Sequence, residues 1–410
     1  MKKLIHWYDL SDHTVIKIEK DYQIRLLSLL KSKFMKQKEI AEELGLNRHQ
    51  INLYNSVASN FSVKTLRKIC NLLQISSDEI EPHVTELGRK RTRIVKPNLP
   101  FNLASPQGAA LISIVNSEGH IPKHIGATMH IRVCEIEMLE RAVIFARHVF
   151  GEFAVEIRKT KGKNTHEIFF PSVISDSLVL VGLARGSKAK NNPHIPFYIL
   201  SDKELGKIYI GWSFACEMEC SGKVIKLTRD IDVTDVIPEE FIQHSNYGVI
   251  FKYKIPKNVL NRVLKKKCNL LEGEIKILEN FGIYKTSQIA NLWKTKDGRI
   301  TAAWKLVISD KGGMKKLLTI DIPLEEKVKK INSVIMSYKR ENILNIDTYR
   351  KTVEAAKTLQ ATKKFFTRRD LINYYKPYSQ WAERRVDYHL RKLERKFIII
   401  KISAGKYRII

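Results

Sequence analysis

Acidic residues are scarce in this chain: 43 Asp and Glu stand against 72 Lys and Arg over 410 residues, a formal net charge of +29 at pH 7. With 44% hydrophobic residues the chain is no solvated polybasic tail. It reads as a folded protein that attracts a polyanion, because each Lys or Arg that neutralises a phosphate releases a condensed counterion. Cysteine is sparse, with Cys70, Cys134, Cys216, Cys220 and Cys268 scattered and no CxxC pair. That excludes a zinc knuckle and a disulfide framework. Cys216 and Cys220 are spaced to share a helix face and read as buried thiols. No apolar run reaches the length of a spanning helix. His6 and Asp9 interrupt any secretory core behind Met1, so a cytoplasmic protein without membrane contact is expected. There is no phosphate-binding glycine loop, and Pro122 between His120 and His124 spoils a helical metal-ligand pair. No small-molecule substrate is expected.

The amino-terminal part, taken as a domain over 1–87, reads as consecutive short helices. Apolar residues recur at helical spacing through Ile24, Leu27, Leu30 and Phe34, then Ile40 and Leu44, then Ile51, then Leu66, Ile69 and Leu73. Gly45 breaks the second helix and Asn47 is placed to cap the third. The segment QKEIAEELGLNRHQINLYNS is similar to the helix-turn-helix of phage repressors. In that case Arg48, His49, Gln50 and Asn52 are the side chains that reach base edges in the major groove. The alternative is a plain helical bundle that binds protein. A basic linker over 88–104 follows, with Arg89, Lys90, Arg91, Arg93 and Lys96 ahead of two prolines.

The last unit, 346–410, carries 17 Lys and Arg against 6 Asp and Glu. Two short helices, a long basic helix and a terminal hairpin resemble a winged helix. Trp381, Val386, Leu390 and Leu393 fall toward its core, and Arg384, Arg385 and Arg391 become candidate DNA contacts. A dimerisation winged helix is the alternative.

Between these ends lie two apolar helices with small residues and terminal acids. QGAALISIVNSEGHI spans 107–121, and KELGKIYIGWSFACEMECSGKV spans 203–224. Small residues let two helix backbones approach closely. Acids at the shared end then sit side by side, which is costly unless a cation neutralises them. Downstream of each comes a hairpin with a matching basic tip, KTKGK at 159–163 and KTKDGR at 294–299. Asp-Gly is a strong hairpin signal. An internal duplication follows, with repeats over 105–202 and 203–342. The second copy is expected to carry insertions in 221–245 and 256–282.

Helix, connector and paired hairpins together resemble the LAGLIDADG (DOD-type) homing endonuclease family in its two-repeat, single-chain form. The connector LVGLARGSKAKNNPHIPFYILSDKEL is similar to the family's link into the second motif helix. The resemblance covers roughly residues 100–340. It implies an α+β fold of two pseudo-symmetric αββαββα repeats forming a DNA saddle, flanked by an all-α helix-turn-helix domain and a winged-helix domain. It further implies a site-specific, Mg²⁺-dependent double-strand DNA endonuclease that acts as a monomer on a pseudo-palindromic site. Glu118 takes the place of the first catalytic, metal-binding acid. Glu217 takes the second, with Glu219 as an alternative register. The DNA-contacting residues become Arg158, Lys159, Lys161, Lys163, Lys294, Lys296 and Arg299. The chain departs from the pattern at Ser113, Asn116, Trp212, Ala215 and Met218, and Trp212 does not suit a tight crossing. A catalytically decayed transcription regulator is the alternative, and an RNA maturase comes third.

Overall fold

The computed structural model describes the chain except residues 1, 35, 89–91, 161, 163, 284, 339–347, 364, 376–385, 387–389, 392, 395–398, 404–405 and 410. It divides into two units, Met1–Ile335 and Met336–Ile410.

Unit 1 opens with β1 (Val15–Ile18), α1 (Lys20–Lys33), α2 (Gln37–Leu44) and α3 (Arg48–Asn55). Then come β2 (Phe61–Ser62), α4 (Val63–Leu73), β3 (Val84–Leu87) and β4 (Ile94–Val95). Gly45, at φ +68°, ends α2 in the left-handed region that suits glycine. Asn47 caps α3 by accepting from the Gln50 backbone N–H at 2.8 Å. Leu26, Leu30, Ile40, Leu44, Ile51, Leu66 and Ile69 are buried between the four helices.

The expectation of an all-α domain fails here. β1, β2, β3 and β4 form a sheet ordered β2-β1-β3-β4-β7, whose last strand, β7 (Glu152–Phe153), belongs to the central region. Leu4–Ile5 likewise pairs with Phe101–Asn102. The stretch expected as a linker, 88–104, therefore contributes two strands and buries Ile94, Phe101 and Leu103. Strands of two to four residues give almost no periodicity, and only their distant partners hold them.

Next come α5 (Pro106–Glu118), β5 (Gly119–His120), β6 (Met129–Val133), α6 (Ile136–Phe150), β8 (Ile157–Lys159), β9 (His166–Phe170) and α7 (Ser172–Leu180). After the short α8 (Lys188–Asn191) the plan recurs. It runs α9 (Lys203–Glu217), β10 (Glu219–Ser221), β11 (Val224–Asp232), α10 (Asn269–Asn280), β13 (Thr286–Lys294), β14 (Ile300–Ile308), α11 (Lys311–Leu317) and α12 (Glu325–Ser337). The two antiparallel sheets have matching order, β5-β6-β9-β8 and β10-β11-β14-β13, and the second adds β12 (Gly248–Phe251) at its edge. One insertion, 233–268, separates β11 from α10, where the first copy has only residues 134–135 between β6 and α6. The expected insertion at 221–245 is corrected in part. Lys223 begins no excursion, because Val224–Asp232 alternates inward and outward as a strand paired with β14.

Unit 2 contains α13 (Thr348–Thr362), β15 (Phe366–Thr367), α14 (Arg368–Tyr375), β16 (Ile399–Ser403) and β17 (Lys406–Ile409), with sheet order β15-β17-β16. Thr367 and Asp370 cap α14 reciprocally: the Thr367 N–H donates to Asp370 at 2.7 Å, and the Asp370 N–H donates to Thr367 Oγ1 at 3.2 Å. Ala355, Ala356, Phe366, Leu371, Val386, Leu390, Leu393 and Ile399 form its core. Trp381 lies outside the described residues.

Candidate functional site

α5 is buried on every side from Gly108 to Asn116, and Ser105 caps it by accepting from the Gly108 N–H at 3.1 Å. Asp202 caps α9 in the same way, accepting from Glu204 and Leu205. The two helices pack directly. Ser113 Oγ donates to the Tyr209 carbonyl at 2.7 Å, and Asn116 Nδ2 donates to the Tyr209 hydroxyl at 3.2 Å. A serine and an asparagine, where the family resemblance calls for glycine and aspartate, thus join the helices by hydrogen bonds. The glycines of α9 serve other neighbours. A Cβ on Gly211 would stand 2.7 Å from the Asp321 carbonyl, and one on Gly206 would meet Ile199 and Ile277. Trp212 avoids the crossing by turning to Phe145 of α6, edge to face at 5.2 Å.

This packing brings Glu118 and Glu217, the last residues of α5 and α9, into electrostatic contact. Burial, and then Glu217, pushes the Glu118 carboxyl up to about 7, against the pull of Lys188 and Arg229. Burial also raises Glu217, while Arg229 and Lys188 hold it down. Both acids sit at helix C-termini, the negative ends of the macrodipoles, which adds to the local demand for a cation. Glu219 is placed differently. Met218 leaves the helix with extended backbone, and Glu219 lies on β10, exposed, 3.9 Å from Lys226.

Two cations and a third acid surround the pair. Arg229 of β11 is buried and donates to Glu217 at 2.8 Å, Glu274 at 2.6 Å, Ser213 at 2.6 Å and Ser117 at 3.1 Å. Glu274 of α10 has no exposed surface, and its carboxylate also accepts from Ser213 Oγ at 2.5 Å. These acids raise the guanidinium well above its ordinary value despite burial. Lys188 donates to the carbonyls of Val115, Asn116 and Ser117 at 3.2, 2.9 and 2.7 Å, closing the end of α5. Burial, with Arg229 nearby, lowers its ammonium to about 8. A cleft of about 310 Å³ opens here, lined by Ser117, Lys188, Glu217, Thr228, Arg229 and Asp230 among others.

Arg229 and Glu274 were not among the expected site residues, yet both leave a trace in the sequence. In VIKLTRDID, Arg229 has the inward parity of Ile225, Leu227 and Ile231. Glu274 interrupts a face made by Leu270, Leu271, Ile277 and Leu278. An inward charge needs a counter-charge, so the two imply one another.

Among the described residues no group of three or more His, Cys, Asp or Glu side chains is placed to hold a metal. The donors present still suit Mg²⁺, which is typically held by one or two carboxylates with phosphate oxygens and water supplying the rest. Among the described residues the Glu118 carboxylate accepts no hydrogen bond, and Arg229 takes only Oε1 of Glu217.

The candidate DNA contacts lie at separate places. Arg48, His49, Gln50 and Asn52 are all exposed on α3, although Gln50 Oε1 also accepts from the Asn47 N–H at 3.1 Å. Arg158 and Lys159 are exposed on β8, Arg158 against Glu156 at 2.7 Å. Lys296 is exposed beside the Asp297-Gly298 turn. Arg299 lies 2.7 Å from Asp297 and 3.7 Å from Asp232. Lys294 is folded back, donating to the carbonyls of Ile242 and Ser245 at 2.5 and 2.8 Å. Arg391 is exposed on a helical stretch of unit 2. Lys161, Lys163, Arg384 and Arg385 lie outside the described residues.

Residues 25–86 match the family model of the Cro/C1-type helix-turn-helix DNA-binding domain. Double-stranded DNA is a partner of this chain. No curated protein matches it. Among solved structures it is similar to I-DmoI in complex with DNA and Mn, at 11% identity and a TM-score of 0.32, covering 54% of this chain and 99% of that one. It is also similar to full-length DUF199/WhiA from Thermatoga maritima, at 11% identity and a TM-score of 0.34, covering 73% and 92%. Neither TM-score reaches 0.5, so neither likeness bears on function. Among the described residues no helix is long and apolar enough to cross a membrane.

Proposed function

We propose that this chain is a site-specific DNA endonuclease in which two LAGLIDADG-type αββαββα repeats form a saddle over double-stranded DNA and cut both strands with Mg²⁺. The observation that carries this reading is the coupled pair Glu118–Glu217, set at the ends of two packed helices that open two topologically matched repeats. Glu118 and Glu217 would hold the ion, which would supply charge stabilisation to an in-line displacement at phosphorus. Burial and Glu217 push the Glu118 carboxyl up to about 7, so a bound cation would be needed to hold it ionised at neutral pH. Lys188 and Arg229 place two positive charges beside the cleft, where phosphate charge would otherwise be repelled by three acids. Arg158, Lys159, Lys161, Lys163, Lys296 and Arg299 of the hairpins track the duplex, while Lys294 is spent on the carbonyls of Ile242 and Ser245. The helix-turn-helix, and the winged-helix unit through Arg384, Arg385 and Arg391, add further DNA contacts. Two repeats in one chain make the protein a monomer on a pseudo-palindromic site.

Cleavage of a randomised plasmid library with Mg²⁺ tests the reading, with Glu118→Gln beside the unaltered chain. Discrete double-strand breaks that vanish in the variant, from a preparation that sediments as a monomer, are expected. Specific DNA retained by both proteins without breaks refutes it. That outcome would leave a transcription regulator built on a retired nuclease scaffold, a reading favoured by the ion pair between Glu217 and Arg229.

A further inference from the structure

The insertion at 233–268 does more than lengthen the second repeat. Its strand β12 joins the open edge of the sheet, pairing Val249 with Trp293 and Phe251 with Asn291. Val249 and Phe251 alternate along it, Tyr247 stands just ahead of it, and all three are exposed. Trp293 of β13 is exposed beside them, edge to face with Tyr247 at 6.3 Å. Just beyond β12, Tyr253 is 80% exposed and lies parallel to Phe251, with centroids 5.7 Å apart and planes 11° apart. Burying an aromatic ring is normally among the larger contributions to folding, so rings left together in solvent mark a partner surface.

The chemistry of the partner follows from the charge. From Tyr247 to Leu271 the chain has seven Lys and Arg and no Asp or Glu. The ammonium of Lys254 stands 6.0 Å from the Tyr253 ring centroid. Exposed ring faces bordered by cations suit stacked bases with a phosphate backbone alongside. In a duplex those base faces are covered by their neighbours, so only unpaired bases offer them. Repeat 1 has no counterpart, since two residues stand where the insertion is.

We propose that the insertion is a second nucleic-acid site, one that holds a short run of unpaired bases of single-stranded DNA on Tyr253, Phe251 and Trp293. DNA rather than RNA is the strand because the chain already engages DNA through its helix-turn-helix. The site is independent of cleavage and adds single-strand capture to duplex reading.

The test is a titration of the full chain with a twelve-nucleotide oligo-dT carrying one 2-aminopurine, whose fluorescence falls when it stacks. Quenched binding that survives an equal concentration of duplex of the same length is expected. Tyr253→Ala and Phe251→Ala should each weaken it about tenfold, while Tyr253→Phe keeps it. Tyr253 and Phe251 are exposed, so neither truncation threatens the fold. Duplex binding through the helix-turn-helix should not change in any of these variants. The proposal is overturned by absent quenching, by alanine variants that bind as tightly as the parent, by oligo-U bound in preference to oligo-dT, or by anionic lipid vesicles displacing the strand.

Discussion

Replacing Arg229 with methionine probes the candidate site most directly. The guanidinium answers two carboxylates, Glu274 with no exposed surface and Glu217 partly exposed. Removing it leaves Glu274 buried with a charge and only Ser213 as partner. Breaking a buried pair from one side costs about 3–5 kcal/mol, most of it the uncompensated charge left behind. Spread over the unfolding entropy of unit 1, at about 2.1 cal/mol/K per residue, that lowers its melting temperature by about 4–7 °C. The assay is thermal unfolding of the full chain at pH 7, followed by near-ultraviolet circular dichroism. Glu274→Leu should cost less than Arg229→Met, because Arg229 keeps Glu217 as counter-charge. The double variant should recover much of the loss, since an apolar pair of similar volume replaces the ionic one. A melting temperature for Arg229→Met within 1 °C of the parent, or losses that simply add in the double variant, would refute the network as a coupled unit.

Further outcomes follow from the site and the reading helix. The folded chain holds Glu118 at about 7, above its ordinary 4.5, so it keeps a proton the unfolded chain has released. Stability attributable to this group therefore falls as pH rises from 4.5 through about 7. Glu118→Gln should melt above the parent at pH 8 and level with it at pH 4, and Mg²⁺ should raise the parent's melting temperature at pH 8 without moving the variant's; superimposable pH profiles would sink this account. In the helix-turn-helix, Asn47→Ala removes the cap of α3 and costs about 1 kcal/mol. Arg48→Ala should instead weaken duplex binding by about 1–3 kcal/mol and relax specificity at the base it reads, readable by fluorescence anisotropy against duplexes varied one position at a time.

The local parts of this structure were legible in the sequence. Gly45 and Asn47 mark the turn and cap between α2 and α3, and Asp297-Gly298 marks a hairpin tip, because backbone conformation there depends on neighbouring residues alone. The terminal acids of α5 and α9 were legible as well, since each closes an apolar helix on which little else is polar. Tertiary packing decided the rest. The amino-terminal sheet joins strands too short to carry a period, such as Ile94–Val95 against Glu152–Phe153, so only pairing across some sixty residues of chain creates them. Which acid of the second motif meets Glu118 depended on where α9 ends, and that is set by Glu219 pairing with Lys226 on β11. Gly206 and Gly211, small enough for a helix crossing, face Ile277 and the Asp321 carbonyl instead, and Trp212, too large for a crossing, packs on Phe145 of α6. Composition gives a helix its small and large faces. Rotation about its axis is fixed only by the neighbours that fill the space, and here Ser113 and Asn116 bonding to Tyr209 fix it.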